Sequence, residues 1–215
     1  RRARIQDINI SVLDVGCGLG DRLLALRSVG LSRLEGVDPF IESDVMYPNG
    51  VRIFKKSVFE VSSEYDLITL HHSFEHMYDQ ITVLRKLREL LAPQGVLLLR
   101  IPVTAEAWKE YGVHWVQIDA PRHLYLHTVA SLGLAARKAG LRIDRVDFDS
   151  TAFQFWGSEQ YRRDITLYDP RSYEFGLAQS IFNPGQIAEF ARRSRELNQQ
   201  GKEDQACFYL RKEPL

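Results

Sequence analysis

Alternating strand and helix signals predict an α/β protein built on a doubly wound, mainly parallel sheet. Three observations carry that expectation. Val12-Leu13-Asp14-Val15 is a short apolar run that breaks into Gly16-Cys17-Gly18-Leu19-Gly20 and then into a helical pattern, which reads as strand, tight turn and helix start. Further short apolar runs follow, separated by amphipathic stretches of helical period. One of them, Val96–Ile101, is continuously apolar, as a strand covered on both faces must be.

Taken in order, Ile10–Val15 is the first strand. Asp21–Val29 reads as a helix, with Leu23, Leu24, Leu26 and Val29 apolar and Gly30 as its stop. Leu34–Asp38 and Val51–Lys55 are the second and third strands, with the turn residues Pro48-Asn49-Gly50 between them. Tyr65–Leu70 is the fourth. In Gln80–Leu91, Ile81, Leu84, Leu87, Leu90 and Leu91 share one helix face, and Pro93-Gln94-Gly95 ends it. Val96–Ile101 is the fifth strand. Thr128 caps a helix running to Lys138, and Leu141–Phe148 is the sixth strand. Asn183-Pro184-Gly185-Gln186 supplies the cap, N1 proline and N3 glutamine of a last helix, and Ala206–Leu210 is the seventh strand. About 57 residues, Asp149–Gln205, separate the last two strands, too many for a hairpin. Phe153, Phe155, Trp156, Tyr161, Tyr173 and Phe182 make that segment too aromatic for a solvated linker. It reads as a cap or lid inserted into a single domain spanning residues 1–215.

Charge narrows the partners. Lys+Arg and Asp+Glu both number 28, so no net positive charge points to nucleic acid. No apolar run approaches the roughly 20 residues that span a bilayer. Cys17 and Cys207 lie far apart in apolar contexts, which disfavours a disulfide framework and fits the reducing cytoplasm.

The glycine loop is the first chemical signal. A dinucleotide fingerprint asks for glycine at its first, third and sixth positions. Counted from Gly16, the sixth position is Asp21, whose carboxylate would repel a pyrophosphate and disfavours NAD. G-x-G-x-G with Asp14 two residues ahead resembles the first motif of the class I S-adenosylmethionine-dependent methyltransferases. Asp38, ending the second strand, can accept hydrogen bonds from two ribose hydroxyls, and Leu34-Glu35-Gly36-Val37-Asp38-Pro39-Phe40 resembles the second motif. Glu64-Tyr65-Asp66, Glu75-His76 and Leu91-Ala92-Pro93-Gln94-Gly95 continue the resemblance in order and spacing over roughly residues 12–148. It is closest to a bacterial group associated with surface-polysaccharide and small-molecule methylation. That group tends to carry D-x-P-R-H after the fifth strand, here Asp119-Ala120-Pro121-Arg122-His123.

The resemblance implies a seven-strand Rossmann-like sheet of order 3-2-1-4-5-7-6, with strand 7 antiparallel, and S-adenosylmethionine as cofactor. It places the cofactor against Asp14, Gly16, Cys17, Gly18 and Gly20, against Asp38 and Pro39, and near His72 after the fourth strand. The loop after the third strand, where the family often has an acid, reads Lys56-Ser57-Val58-Phe59. Ser57 departs from that pattern, which leaves adenine to the backbone of Val58 and the ring of Phe59. His72 and His76 stand four apart, a spacing that could hold zinc on a helix, but no cysteine completes a set and no metal is expected.

Methyl transfer from a sulfonium needs chiefly alignment. An alcohol acceptor adds the need for a base, and histidine suits that near neutral pH. His123 is the expected catalytic residue. Arg122 is the candidate for an acidic or phosphorylated acceptor, and Trp115, Tyr125 and Trp156 for ring contacts. The expected activity is methylation of a hydroxyl on a small molecule or glycan. The alternatives are N-methylation of an amino sugar and a non-catalytic methyltransferase-like partner subunit.

Overall fold

β1 (Ser11–Val15) is the centre of the sheet, and all five of its residues are buried. It pairs in parallel with β2 (Arg33–Val37) on one side and β5 (Tyr65–His71) on the other. The computed structural model describes residues 8–214. β4 (Arg52–Phe54) lies parallel to β2, and β6 (Leu91–Pro102) parallel to β5. With β3 (Val45–Met46), β7 (Leu141–Phe148) and β8 (Gln205–Lys212), the eight-stranded order is β3-β4-β2-β1-β5-β6-β8-β7. The expected seven-strand order is contained in it.

The eighth strand is β3, which pairs antiparallel with β4 at the sheet edge. Pro48-Asn49-Gly50 therefore closes a hairpin, held by Tyr47 N–H to Val51 O at 2.9 Å and Gly50 N–H to Tyr47 O at 2.9 Å. A two-residue strand carries too little periodicity to read from sequence. A second difference lies at the start of β6. The sequence places the end of the preceding helix at Pro93-Gln94-Gly95, but the helix stops at Leu90, and the chain is already extended at Leu91 and pairs there with Tyr65, through an irregularity in register before Leu67.

Two compact units divide the chain. One comprises Arg1–Ile101, Ala130–Val146 and Phe208–Leu215; the other comprises Pro102–Val129 and Asp147–Cys207. In the first unit, α1 (Asp21–Ser28), α2 (Gln80–Leu90) and α4 (Val129–Lys138) accompany the sheet strands. Val12, Leu13, Ile68, Leu70, Leu97 and Leu99 are fully shielded within it. Burying each such side chain stabilises the fold by roughly 1.5–3 kcal/mol. Asp79 starts α2 by accepting a hydrogen bond from Thr82 N–H.

The second unit holds α3 (Glu106–Tyr111), α5 (Phe153–Tyr161) and α6 (Pro184–Gln200). Its core is Ala107, Tyr111, Trp115 and Phe155, with Phe190 packed against it. The guanidinium of Arg162 lies 4.3 Å from the centre of the Tyr111 ring, and that of Arg193 lies 4.4 Å from the centre of Phe155. Residues 149–205 share this core with residues 102–129. Their aromatics need residues 102–129 to complete a core, because segments distant in sequence supply its two sides. The start of α6 follows the sequence pattern: Asn183 and Gln186 form a reciprocal capping box.

Candidate active site

The carboxyl ends of β1, β2, β4 and β5 bring the family motifs together. Asp14, near the end of β1, is almost fully buried and accepts a 2.6 Å hydrogen bond from Thr69 Oγ1 on β5. Burial pushes its carboxyl up to about 6, although the Thr69 hydroxyl and the charge of Arg22 act in the opposite direction. The chain then turns through Gly16 at φ +72° and Gly18 at φ +54°, both in the left-handed region.

These two glycines are needed for different reasons. A Cβ on Gly16 would lie 2.5 Å from Ser73 Cβ, so the loop could not seat against the chain after β5. That contact is fixed from both sides, by Gly16 N–H to Val37 O at 2.8 Å and Ser73 Oγ to Val15 O at 2.8 Å. A Cβ on Gly18 would meet nothing within 4 Å. Gly18 faces open space, as a backbone must where a ligand approaches it. Gly20 is the residue from which α1 starts.

Cys17 turns the other way. Its sulfur is where a Cβ on Gly36 would fall, at 2.5 Å. Burial, with Asp14 and Asp38 nearby, pushes its thiol up to about 12, so it stays protonated and contributes to the loop as packing.

Asp38 has a role that the sequence did not reveal. Its Oδ2 accepts from Gly18 N–H at 2.9 Å and its Oδ1 from Phe40 N–H at 2.9 Å. The carboxylate thus ties the glycine loop to the end of β2, and each oxygen keeps a further acceptor site. Asp38 N–H is itself held by Phe54 O at the end of β4. Pro39 and Phe40 are exposed, Phe40 almost completely.

Ser57 caps a 3-10 turn, Val58–Glu60, in a capping box with Glu60. Its hydroxyl is used by Phe59 N–H at 3.3 Å, which is why a serine stands here. Val58 is buried, whereas the ring of Phe59 is half exposed.

His72 follows β5 at φ +50°. Its Nε2 lies 2.7 Å from Arg100 on β6, and its Nδ1 lies 3.3 Å from the buried carboxylate of Glu75. A guanidinium only donates, so Nε2 accepts and the ring proton sits on Nδ1, facing Glu75. Phe74–His76 forms a 3-10 turn rather than α-helix, so the i, i+4 helical geometry imagined for His72 and His76 is not formed.

In the second unit, Asp119, Arg122 and His123 share one turn. Asp119 adopts φ +40° and its carbonyl accepts from Arg122 N–H at 2.9 Å. Arg122, largely exposed, pairs with the Asp119 carboxylate at 2.6 Å. His123 is mostly buried. Its Nδ1 lies 2.7 Å from Gln117 O, and its Nε2 lies 3.7 Å from Asp119 Oδ2. A carbonyl only accepts, so the ring proton sits on Nδ1 and Nε2 carries the lone pair. Tyr161, named in the sequence only as one of the aromatics of its segment, has its phenol raised by burial and by the charge of Asp119.

Two of the ring contacts expected for a substrate are not available. Trp115 is completely buried and donates from Nε1 to Asp204 Oδ2 at 2.7 Å. Trp156 is nearly buried between Phe153 and Tyr173, both edge-on to it. The apolar area of an indole makes it the natural centre of a small core, and both rings serve that purpose here. Tyr125 is partly exposed and stacks on His127.

Sheet order, glycine loop and acidic strand ends together define an α/β enzyme of the methyl-transferring class. The chain belongs to the methyltransferase domain family, which matches residues 1–146. Solved structures agree in fold. The mitomycin 7-O-methyltransferase MmcR is 13% identical with a TM-score of 0.58, over 98% of this chain and 52% of its own. The chain thus spans about half the length of that protein. A protein of Galdieria sulphuraria assigned as a sarcosine dimethylglycine methyltransferase is 18% identical with a TM-score of 0.56, over 96% of this chain and 80% of its own. The mycolic acid cyclopropane synthase CmaA1, in complex with SAH, is 16% identical with a TM-score of 0.59, over 95% and 78%. No curated protein matches the sequence. Among the described residues, no helix is long and apolar enough to cross a membrane.

Proposed function

We propose that the chain transfers the methyl group of S-adenosylmethionine to a hydroxyl of a small molecule or glycan. The observation that carries the choice of acceptor is His123: its proton lies on Nδ1 against Gln117 O, which makes Nε2 the basic nitrogen, and Asp119 Oδ2 lies 3.7 Å from that same atom. Such a ring can take the proton of an alcohol as its oxygen attacks the methyl carbon, and the Asp119 carboxylate stabilises the imidazolium that results. Arg122, exposed beside them, is assigned to an anionic group on the acceptor, and Tyr125 to a ring face.

The cofactor is assigned to the first unit. Asp38 takes the ribose hydroxyls on the acceptor sites its backbone partners leave free, and Gly16, Gly18 and Gly20 accommodate the methionyl part, with Asp14 beneath and His72 alongside. Ser57, Val58, Phe59 and Pro39 lie toward the adenine. The sulfonium supplies the leaving group; the chain supplies alignment and proton removal.

The activity test is release of S-adenosylhomocysteine on matched acceptors that differ only in bearing a hydroxyl or an amine. Methylation of the hydroxyl series is expected, with the product identified by mass. Turnover confined to the amines would replace this reading by N-methylation.

Calorimetry checks the cofactor site itself. S-adenosylmethionine and S-adenosylhomocysteine should bind and NAD should not. Asp38→Ala should weaken S-adenosylhomocysteine by about 1.5–3 kcal/mol, the range for hydrogen bonds to a charged group. An unchanged affinity in a folded variant would remove Asp38 from the site.

A further inference from the structure

The second unit buries two adjacent carboxylates, Glu203 and Asp204, that the proposed chemistry does not use. Both residues are completely shielded from solvent. Asp204 Oδ2 accepts from Trp115 Nε1 at 2.7 Å, and Oδ1 accepts from Ser150 Oγ at 2.5 Å. Its backbone carbonyl accepts from Val103 N–H at 2.7 Å. Glu203 Oε2 accepts from Gln154 Nε2 and, at 3.3 Å, from Asp204 N–H. Glu203 Oε1, Gln154 Oε1 and Ser194 Oγ are buried without a hydrogen-bond partner.

Among the described residues, no lysine, arginine or histidine forms an ion pair with either acid. Arg193 on α6 interacts with Glu203 through its charge, while both its terminal nitrogens donate to the Glu110 carboxylate. Lys202, next in sequence, is exposed. Asp149, beside Ser150, adds a further negative charge and is engaged by Gln205. Two buried carboxylates without a cation cannot both be ionised cheaply. Burial raises the Glu203 carboxyl even though Gln154, Ser194 and Ser150 act in the opposite direction.

We infer that Glu203 and Asp204 share one proton in the folded protein and act as a pH-sensitive clamp on the loop that starts at Trp115. The loop matters because Gln117, Asp119, Arg122 and His123 lie on it. Trp115 is tied down by Asp204, and the next residue is tied by Val116 N–H to Ser158 Oγ at 3.0 Å. Burial pushes the Asp204 carboxyl up to about 7, helped by Glu203, and burial raises Glu203 as well. The two titrate as a pair. A folded-state value raised above the unfolded one means that the stability this pair contributes is full at acid pH and falls as pH rises through the folded value, near neutrality, while the bonds from Trp115 and Ser150, which favour the ionised carboxylate, tighten over the same range.

The indole N–H resonance of Trp115 reads the clamp directly and needs neither cofactor nor acceptor. In the whole chain, followed from about pH 5.5 to about pH 9, it should shift with a midpoint near neutrality. Asp204→Asn keeps an oxygen for Trp115 and removes the charge, so the resonance should stay in place and cease to titrate. Glu203→Gln removes the neighbouring acid, so the midpoint should fall by about one unit or more. Far-UV circular dichroism and melting confirm that each variant is folded; if Asp204→Asn does not fold, the wild-type and Glu203→Gln titrations decide alone. A wild-type resonance that does not move over this range, or a midpoint unchanged in Glu203→Gln, would overturn the inference.

Discussion

Gly18→Val should bind S-adenosylhomocysteine at least about 100-fold more weakly than the wild-type chain, a loss of about 2.7 kcal/mol or more. The structure separates this effect from a folding defect. The added Cβ meets no protein atom within 4 Å, so the branched side chain stands in the open space over the loop. Holding a non-glycine residue in the left-handed region at φ +54° costs roughly 1–2 kcal/mol, less than the 5–15 kcal/mol by which domains are usually stable. Calorimetry for binding and thermal melting for stability make the check. Gly16→Val is the contrast, because its Cβ collides with Ser73 at 2.5 Å. That variant should lose stability and binding together. Unaltered affinity in a folded Gly18→Val chain would place the cofactor elsewhere.

His123→Ala should lower turnover by roughly 10²–10⁴-fold, the usual contribution of a positioned general base. S-adenosylhomocysteine affinity should be unchanged, since His123 is not among the proposed cofactor contacts. Turnover is read as S-adenosylhomocysteine release on whichever acceptor the wild-type chain methylates. Asp119→Asn gives the discriminating control. It preserves the size of the side chain and removes the charge 3.7 Å from Nε2. If His123 is the base, this variant should lower the pH at which the rate rises as well as the rate itself, because the imidazolium loses its stabilising neighbour. A histidine that only packs the turn would leave the pH profile unmoved, and turnover per folded molecule near normal in His123→Ala.

The local signals along the chain were strong where one stretch of sequence contained the whole reason for a structure. The run Val12–Val15 followed by spaced glycines is one case, since burial and left-handed turns are properties of consecutive residues. The capping box at Asn183 and Gln186 is another, with both partners within one helical turn. β3 was invisible because two residues show no period. The early start of β6 was hidden by Pro93 and Gly95, which end a helix as readily as they mark an irregular strand.

Within the proposed site, the sequence by itself determined the family and the residues assigned to the ligand: Asp14, the glycine loop and Asp38 occur at strand ends whose parallel pairing follows from strand–helix alternation. Only the tertiary structure decided what their atoms do. Asp38 holds Gly18 N–H and Phe40 N–H, contacts that depend on β1 and β2 lying side by side. Trp115 and Trp156 looked like substrate platforms by composition, yet burial consumes both, because the second unit has no sheet of its own to cover and must build a core from aromatics. The Glu203–Asp204 pair was also beyond reach of the sequence. Two adjacent acids read as solvated surface, and only packing by Trp115, Ser150 and Gln154 from elsewhere in the chain removes them from water.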